Sequence, residues 1–358
     1  MKIVASFVHG YSNLNVSQPD LPRPSLMICN GKKVNIKKYI FPRNPEDFKI
    51  HKKIIHGELP SKNLKDFKKL PRFGFTGLFK FKNNIYCGSW NSIYMIDAKS
   101  FKLRKIFSNR LMCDLHGIFV NKNFMVHILT AKDTIVFSDH NGKIKNYFSI
   151  DKNLKVKKEK KVLQNDWRFL SKQFKGSTGF FHFNYVQIFN NEMWLTSRNC
   201  NCFVVVDLKT KRAELRTMNL STPALIHDGV KKDQKYYFTS IDGKILIAEN
   251  HNKKKVQHNR EKIKKIQFFN RDLISHVVRL EDKNILGRQP NWCRGIEITK
   301  DKILLTIDGR YDTKLKFSII ILDKINYKLI KEVNFYWSEV GDQKKIRYCA
   351  GFDIISLK

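Results

Sequence analysis

From residue 73 onward the chain repeats one pattern: a small or polar residue, usually glycine, then alternating apolar positions. It appears as FTGLFKF (75–81), LHGIFV (115–120), HFNYVQIF (182–189), HDGVKK (227–232), CRGIEIT (293–299) and CAGFDIIS (349–356). Alternation of this kind reads as a strand with one buried face. The aligned small residues are Gly77, Gly117, Asn184, Gly229, Gly295 and Gly351, spaced by 40, 67, 45, 66 and 56 positions. The shortest spacings match one four-stranded propeller blade of about 40–50 residues. The longer ones read as a blade plus an insertion.

Each of the first five starts is followed by three further short strands. In the first blade these are IYCGSW, IYMID and FKLRKIFS (85–108), and in the second MVHILTA, TIVFSD and IKNYFSI (125–150). In the third they are MWLTSR, FVVVDL and AELRTM (193–218), and in the fifth ILLTID, FSIIILD and YKLIKEVNF (303–335). The fourth continues KYYFTS and KILIAE, with a polar last strand expected near KVQHNR (255–260). Third strands are continuous apolar runs, which suits burial on both faces between neighbouring blades.

The sixth start lies almost at the C-terminus, so its partners are sought at the other end, in KIVASFV (2–8), SLMICN (25–30) and KVNIKKYIF (33–41). Pairing of the N- and C-terminal strands closes the ring and removes open sheet edges. The expectation is therefore an all-β, six-bladed β-propeller in a single domain. Its blades run about 73–110, 111–151, 182–219, 225–263, 292–335, and 349–358 plus 1–41. Insertions at 42–71, 152–181, 264–291 and 336–348 are read as loops at one mouth of the channel. The segments 152–181 and 264–291 are too short and polar for a seventh blade.

On these repeats the architecture resembles the broad six-bladed propeller superfamily, including the gluconolactonase-type and NHL-type propellers. The gluconolactonase-type metal set is a Glu early in the ring followed by Asn and Asp. It does not map onto this chain, because Glu297 alternates away from the polar start of its strand.

In a propeller the first residues of all inner strands meet at one mouth, so distant side chains become neighbours. Just before the aligned small residues stand Thr76, His116, Phe183, Asp228, Arg294 and Ala350; one position earlier stand Phe75, Leu115, His182, His227, Cys293 and Cys349. The connections between second and third strands reach the same mouth and carry Trp90, Asn91, Lys132, Asp133, Arg198 to Cys202, Asp242, and Asp308 to Tyr311. Long loops on one face of a rigid scaffold usually build a site.

Three readings of the histidines stand side by side. His116, His182 and His227 would bind a divalent metal, Zn or Fe, with an open position. Alternatively one His is a general base, with Asp228 beside His227 and Arg294 holding an anionic group. In the third, the imidazoles hydrogen-bond channel waters or backbone. Arg198, Trp90, Trp292, Arg310 and Tyr311 are the candidate substrate contacts. The Cys200–Cys202 pair lacks a second pair and is a weak metal signal.

Net charge is +36, from 68 Lys and Arg against 32 Asp and Glu. Such a chain favours anionic partners. The basic residues are spread along the whole sequence, and nucleic-acid-binding motifs are absent, so nucleic acid is possible but not favoured. Seven cysteines without framework spacing are expected to be reduced thiols. No apolar run approaches the ~20 residues of a membrane helix, and the N-terminal apolar run is too short for a signal peptide, so a cytoplasmic location is expected. The reading is a propeller whose mouth acts on an anionic small molecule or glycan, as a lyase or hydrolase, with a divalent metal as an option. The alternative is a non-catalytic binding or scaffold propeller whose basic surface meets an acidic partner.

Overall fold

The computed structural model describes residues 1–11, 24–31, 33–42, 45–60, 73–169, 179–200, 202–217, 226–233, 235–249, 274–283, 285–286, 291–308, 316–336 and 346–357. Six sheets, each built on four antiparallel strands, form six blades. Blade one is Gly77–Phe81, Asn84–Gly88, Ile93–Asp97 and Leu103–Ser108. Blade two is Ile118–Val120, Met125–Leu129, Thr134–Ser138 and Ile144–Ile150. Blade three is Phe183–Phe189, Glu192–Ser197, Cys202–Asp207 and Arg212–Thr217. Blade four is Ile226–Lys232, Lys235–Ser240, Lys244–Glu249 and Ile274–Arg279. Blade five is Asn291–Ile298, Lys302–Asp308, Lys316–Asp323 and Leu329–Tyr336.

Blade six is composite. The C-terminal strand Ile346–Leu357 is innermost and pairs antiparallel with Lys2–Tyr11, from Lys2 opposite Leu357 to Tyr11 opposite Ile346, with register shifts between Ala5 and Phe7 and between Gly10 and Tyr11. Ser25–Asn30 and Lys33–Lys38 complete it. Each inner strand touches the inner strands of the blades before and after it, and that of blade six returns to blade one. The ring is closed.

The alternation that marked the inner strands carries their packing. Third strands are buried along most of their length, as in CFVVVD of blade three, where only Asp207 is half-buried. Their side chains fill the space between adjacent sheets: Val204 and Val206 pack with Ile128 and Ile135 of blade two, whereas Phe203 and Val205 pack with Phe238 and Leu246 of blade four.

A second series of bonds ties blade to blade. The Thr130 hydroxyl of blade two donates to the Phe183 carbonyl of blade three at 3.2 Å, and that of Thr196 to the His227 carbonyl of blade four at 2.7 Å. The Thr239 hydroxyl does the same to the Arg294 carbonyl of blade five.

Two expectations about the insertions change. The outer strand of blade four is Ile274–Arg279, inside a segment read as a mouth loop; the polar segment 255–260 expected there lies outside the described residues. The ISHVVR segment has the apolar content that a sheet position requires. Glu249, which precedes the long basic insertion, pairs with Lys235 at the end of the sheet away from the mouth.

The described parts of 42–60 and 152–169 contribute edge strands to blades one and two. Ile55–Gly57 adds a parallel fifth strand to blade one and Val156–Lys157 an antiparallel fifth strand to blade two. Arg168, fully buried, locks the two insertions together. It pairs with Asp166, donates to the Glu58 carbonyl at 2.5 Å and to the Ser108 hydroxyl at 3.2 Å, and lies 5.7 Å from the Phe48 ring. Among the described residues no helix is long and apolar enough to cross a membrane. Six cysteines there are buried free thiols.

Candidate functional site

The inner strands bring residues from five blades to one cluster at the start of the channel. Phe352 of blade six is its centre. Its ring lies edge-on to His116 of blade two at 5.0 Å and to His227 of blade four at 5.2 Å. The Arg294 guanidinium of blade five sits 4.6 Å from the Phe352 ring and 4.3 Å from the Trp292 ring. The Arg198 guanidinium of blade three approaches the same Trp292 ring at 5.7 Å. His182 of blade three stands 5.5 Å from His116, and His116 stands 6.0 Å from His227, measured between ring centroids. His116, His182, His227, Asp228 and Arg294 are all buried. Cation–π contact lets each guanidinium sit against apolar rings while keeping its charge.

Local backbone geometry holds this cluster. Asp114, Asp133, His182 and Trp292 adopt left-handed backbone, with φ of 49°, 44°, 50° and 58°. Side chains other than glycine rarely sit there, and such strain persists only where surrounding structure imposes it. At His182 the imposing group is Asp133, whose carboxylate accepts the N–H of Phe181 at 2.9 Å and of His182 at 3.0 Å. At Trp292 the N–H donates to the Ile241 carbonyl at 3.1 Å.

Electrostatics follow from burial. The His227 imidazole is held well below its ordinary value by burial first and then by the positive groups Arg294, His116, Arg198 and His182. It is therefore neutral at pH 7. Asp228 stands 3.1 Å from His227 Nδ1, and burial, with the Asp353 charge, pushes its carboxyl well up, against the pull of Arg294. The Asp114 carboxylate stands 3.3 Å from His116 Nε2. Deeper in the channel, burial pushes Asp353 and Glu297 up to about 7. Asp353 accepts the N–H of Leu78 at 2.6 Å and of Ile354 at 2.8 Å. The Tyr185 phenol is raised by burial and by the Asp353, Asp228 and Glu297 charges.

Of the residues expected from sequence, His116, His182, His227, Asp228, Arg294, Arg198 and Trp292 converge. Trp90 does not join them. It is packed in the core with Phe75, Tyr94 and Cys113, and its carbonyl accepts the Asp114 N–H at 2.8 Å. Arg310 and Tyr311 lie outside the described residues. Phe352 and Asp114 were not singled out: an apolar residue on an inner strand reads as core, and Asp114 lies before its strand. Among the described residues no group of three or more His, Cys, Asp and Glu is arranged to hold a metal.

No protein-family model matches the chain, and no curated protein matches it. Among solved structures, it is similar to the Pan2 WD40 domain of Neurospora crassa, at 8% identity over 73% of this chain and 66% of that one, with a TM-score of 0.41. It thus spans just under two thirds of that domain. The computationally designed Ika8 protein gives 11% identity over 72% of this chain and 86% of that one, with a TM-score of 0.38. The class of the protein rests on its own six sheets and closed inner ring: a six-bladed β-propeller.

Proposed function

We propose that the channel mouth binds an anionic small molecule or acidic glycan, and that His227 acts there as general base in a lyase or hydrolase reaction. The observation that carries this reading is the convergence of Arg198 and Arg294 on one indole beside a neutral imidazole. The buried Arg294 and the half-buried Arg198 create a positive potential at the mouth that attracts carboxylate or phosphate. A carboxylate held by Arg294 would have its neighbouring C–H made more acidic. With Asp228 ionised and accepting the His227 Nδ1–H, the neutral ring has Nε2 left as the nitrogen to take that proton. His116 and His182 stand close enough to return a proton to a leaving group. A divalent metal on the three imidazoles remains an outcome of the test below.

The test is calorimetric titration of the intact chain, at physiological salt, with small carboxylates and uronic acids. Turnover of any ligand found is followed by NMR, and bound metal by elemental analysis. Saturable binding should be lost in Arg294→Met and kept in His227→Gln, with turnover lost in both. Binding without turnover in the native chain would leave a binding propeller. Binding indifferent to Arg294→Met would overturn the mouth as the site.

A further inference from the structure

A second cleft lies between blades one and two, and none of its lining residues belongs to the mouth. It encloses about 290 Å³. Four of its lining residues are basic or basic-capable, Lys82, Lys105, Lys122 and His140, and among the described residues no carboxylate lines it. The cations come from different turns and strands. Lys82 and Lys122 lie in the first hairpin turns of blades one and two, Lys105 on the outer strand of blade one, and His140 in the last hairpin turn of blade two. Like charges brought to one concavity by tertiary folding repel one another, and a bound anion relieves that repulsion. Lys105 already shows its field nearby, as it helps hold the His56 imidazole below its ordinary value.

The cleft also has an apolar wall and a buried acceptor. Phe81 and Met95 are half-buried there and Tyr86 is buried. The Asn84 Oδ1 atom is buried with no hydrogen-bond partner among the described residues. A buried acceptor left so is costly, and a rotation of the Asn84 amide toward the cleft would let a ligand hydroxyl satisfy it. Ammonium and imidazole groups suit a phosphoryl group, the aromatic wall suits the C–H face of a ring, and Asn84 suits a hydroxyl.

We propose that this cleft is a binding site for a small hydroxylated phosphate ester of the sugar-phosphate class. It is independent of the chemistry at the mouth.

The experiment is calorimetric titration of the intact protein at physiological salt with glucose 6-phosphate, inorganic phosphate and glucose. Glucose 6-phosphate should bind saturably and more tightly than either of the others. Lys105→Met and Lys122→Met should each weaken it by about tenfold or more, the worth of a charge-assisted hydrogen bond. Asn84→Ala should erase the advantage over inorganic phosphate. Lys302→Met on blade five should leave binding unchanged, with melting temperature checking that each variant folds. No saturable binding, equal loss in the Lys302 variant, or loss only with Arg294→Met would each overturn the proposal.

Discussion

The carboxylate of Asp133 receives the backbone N–H of His182 across the junction of blades two and three, at 3.0 Å. Its second oxygen takes the N–H of Phe181 at 2.9 Å, so one side chain orients the peptide that carries a mouth histidine. Burial pushes this carboxyl up to about 7 even though the N–H groups pull it down.

Asp133 is accordingly a positioning residue. Asp133→Ala leaves two buried donors unmet and should cost about 2–6 kcal/mol in urea unfolding, at about 1–3 kcal/mol for each orphaned group. Asp133→Asn, with one acceptor oxygen, should fall between. The His182 ring resonances should move in both variants while those of His140, in a distant turn, stay in place. Unmoved His182 signals in a stably folded Ala variant would show that the cradle does not hold it.

Two buried groups give stability slopes of opposite sign. His127 is fully buried, and burial pushes its ring from the ordinary 6.5 down to about 3. The unfolded chain binds the extra proton, so the folded chain has its full stability above about 6.5 and loses it as pH falls, by up to about 1.4 kcal/mol per unit. Glu297 is raised from 4.5 to about 7, chiefly by burial. There the folded chain binds the extra proton, so stability falls as pH rises through that window. Chemical denaturation across pH should show His127→Leu flattening the acid loss and Glu297→Gln flattening the loss toward neutrality. Parallel curves for native and variant would contradict each assignment.

Arg168 carries the junction of the two edge-strand insertions. Removing its charge leaves Asp166 without its partner and the Glu58 carbonyl without a donor, so Arg168→Ala should cost about 3–5 kcal/mol, the range for breaking a buried pair. The loss should appear in urea unfolding, and hydrogen exchange should rise first at 55–57 and 162–169. An unchanged midpoint would mean that these insertions dock without it.

Much of the ring was legible because each inner strand repeats a small residue followed by alternation, and closure requires partners for CAGFDIIS that only the N-terminus supplies. The outer strand of blade four was not legible. A long basic stretch separates KILIAE from ISHVVR, and the polar KVQHNR stood at the expected distance. At the mouth, ionisable residues at equivalent repeat positions were visible. Phe352 was not, since its contact with His116, His227 and Arg294 arises only when blade six closes against blades two, four and five. Asp133 was visible as a residue of its connection, but its role depends on N–H groups almost 50 positions away. The threonines that stitch the blades did carry a signal, the LT or FT ending of second strands in HILTA, WLTS and YYFTS.

The most direct test of convergence at the mouth is the titration of the His227 imidazole by ring-nitrogen NMR, with the signal assigned by its loss in His227→Gln. The ring is surrounded by Arg294, Arg198, His116 and His182 from blades five, three and two, so it should stay neutral well below 6.5, and Arg294→Met and Arg198→Met should each raise its value. An ordinary titration near 6.5 that ignores both substitutions would mean that these strands do not bring their charges together, and the proposed site would be lost with them.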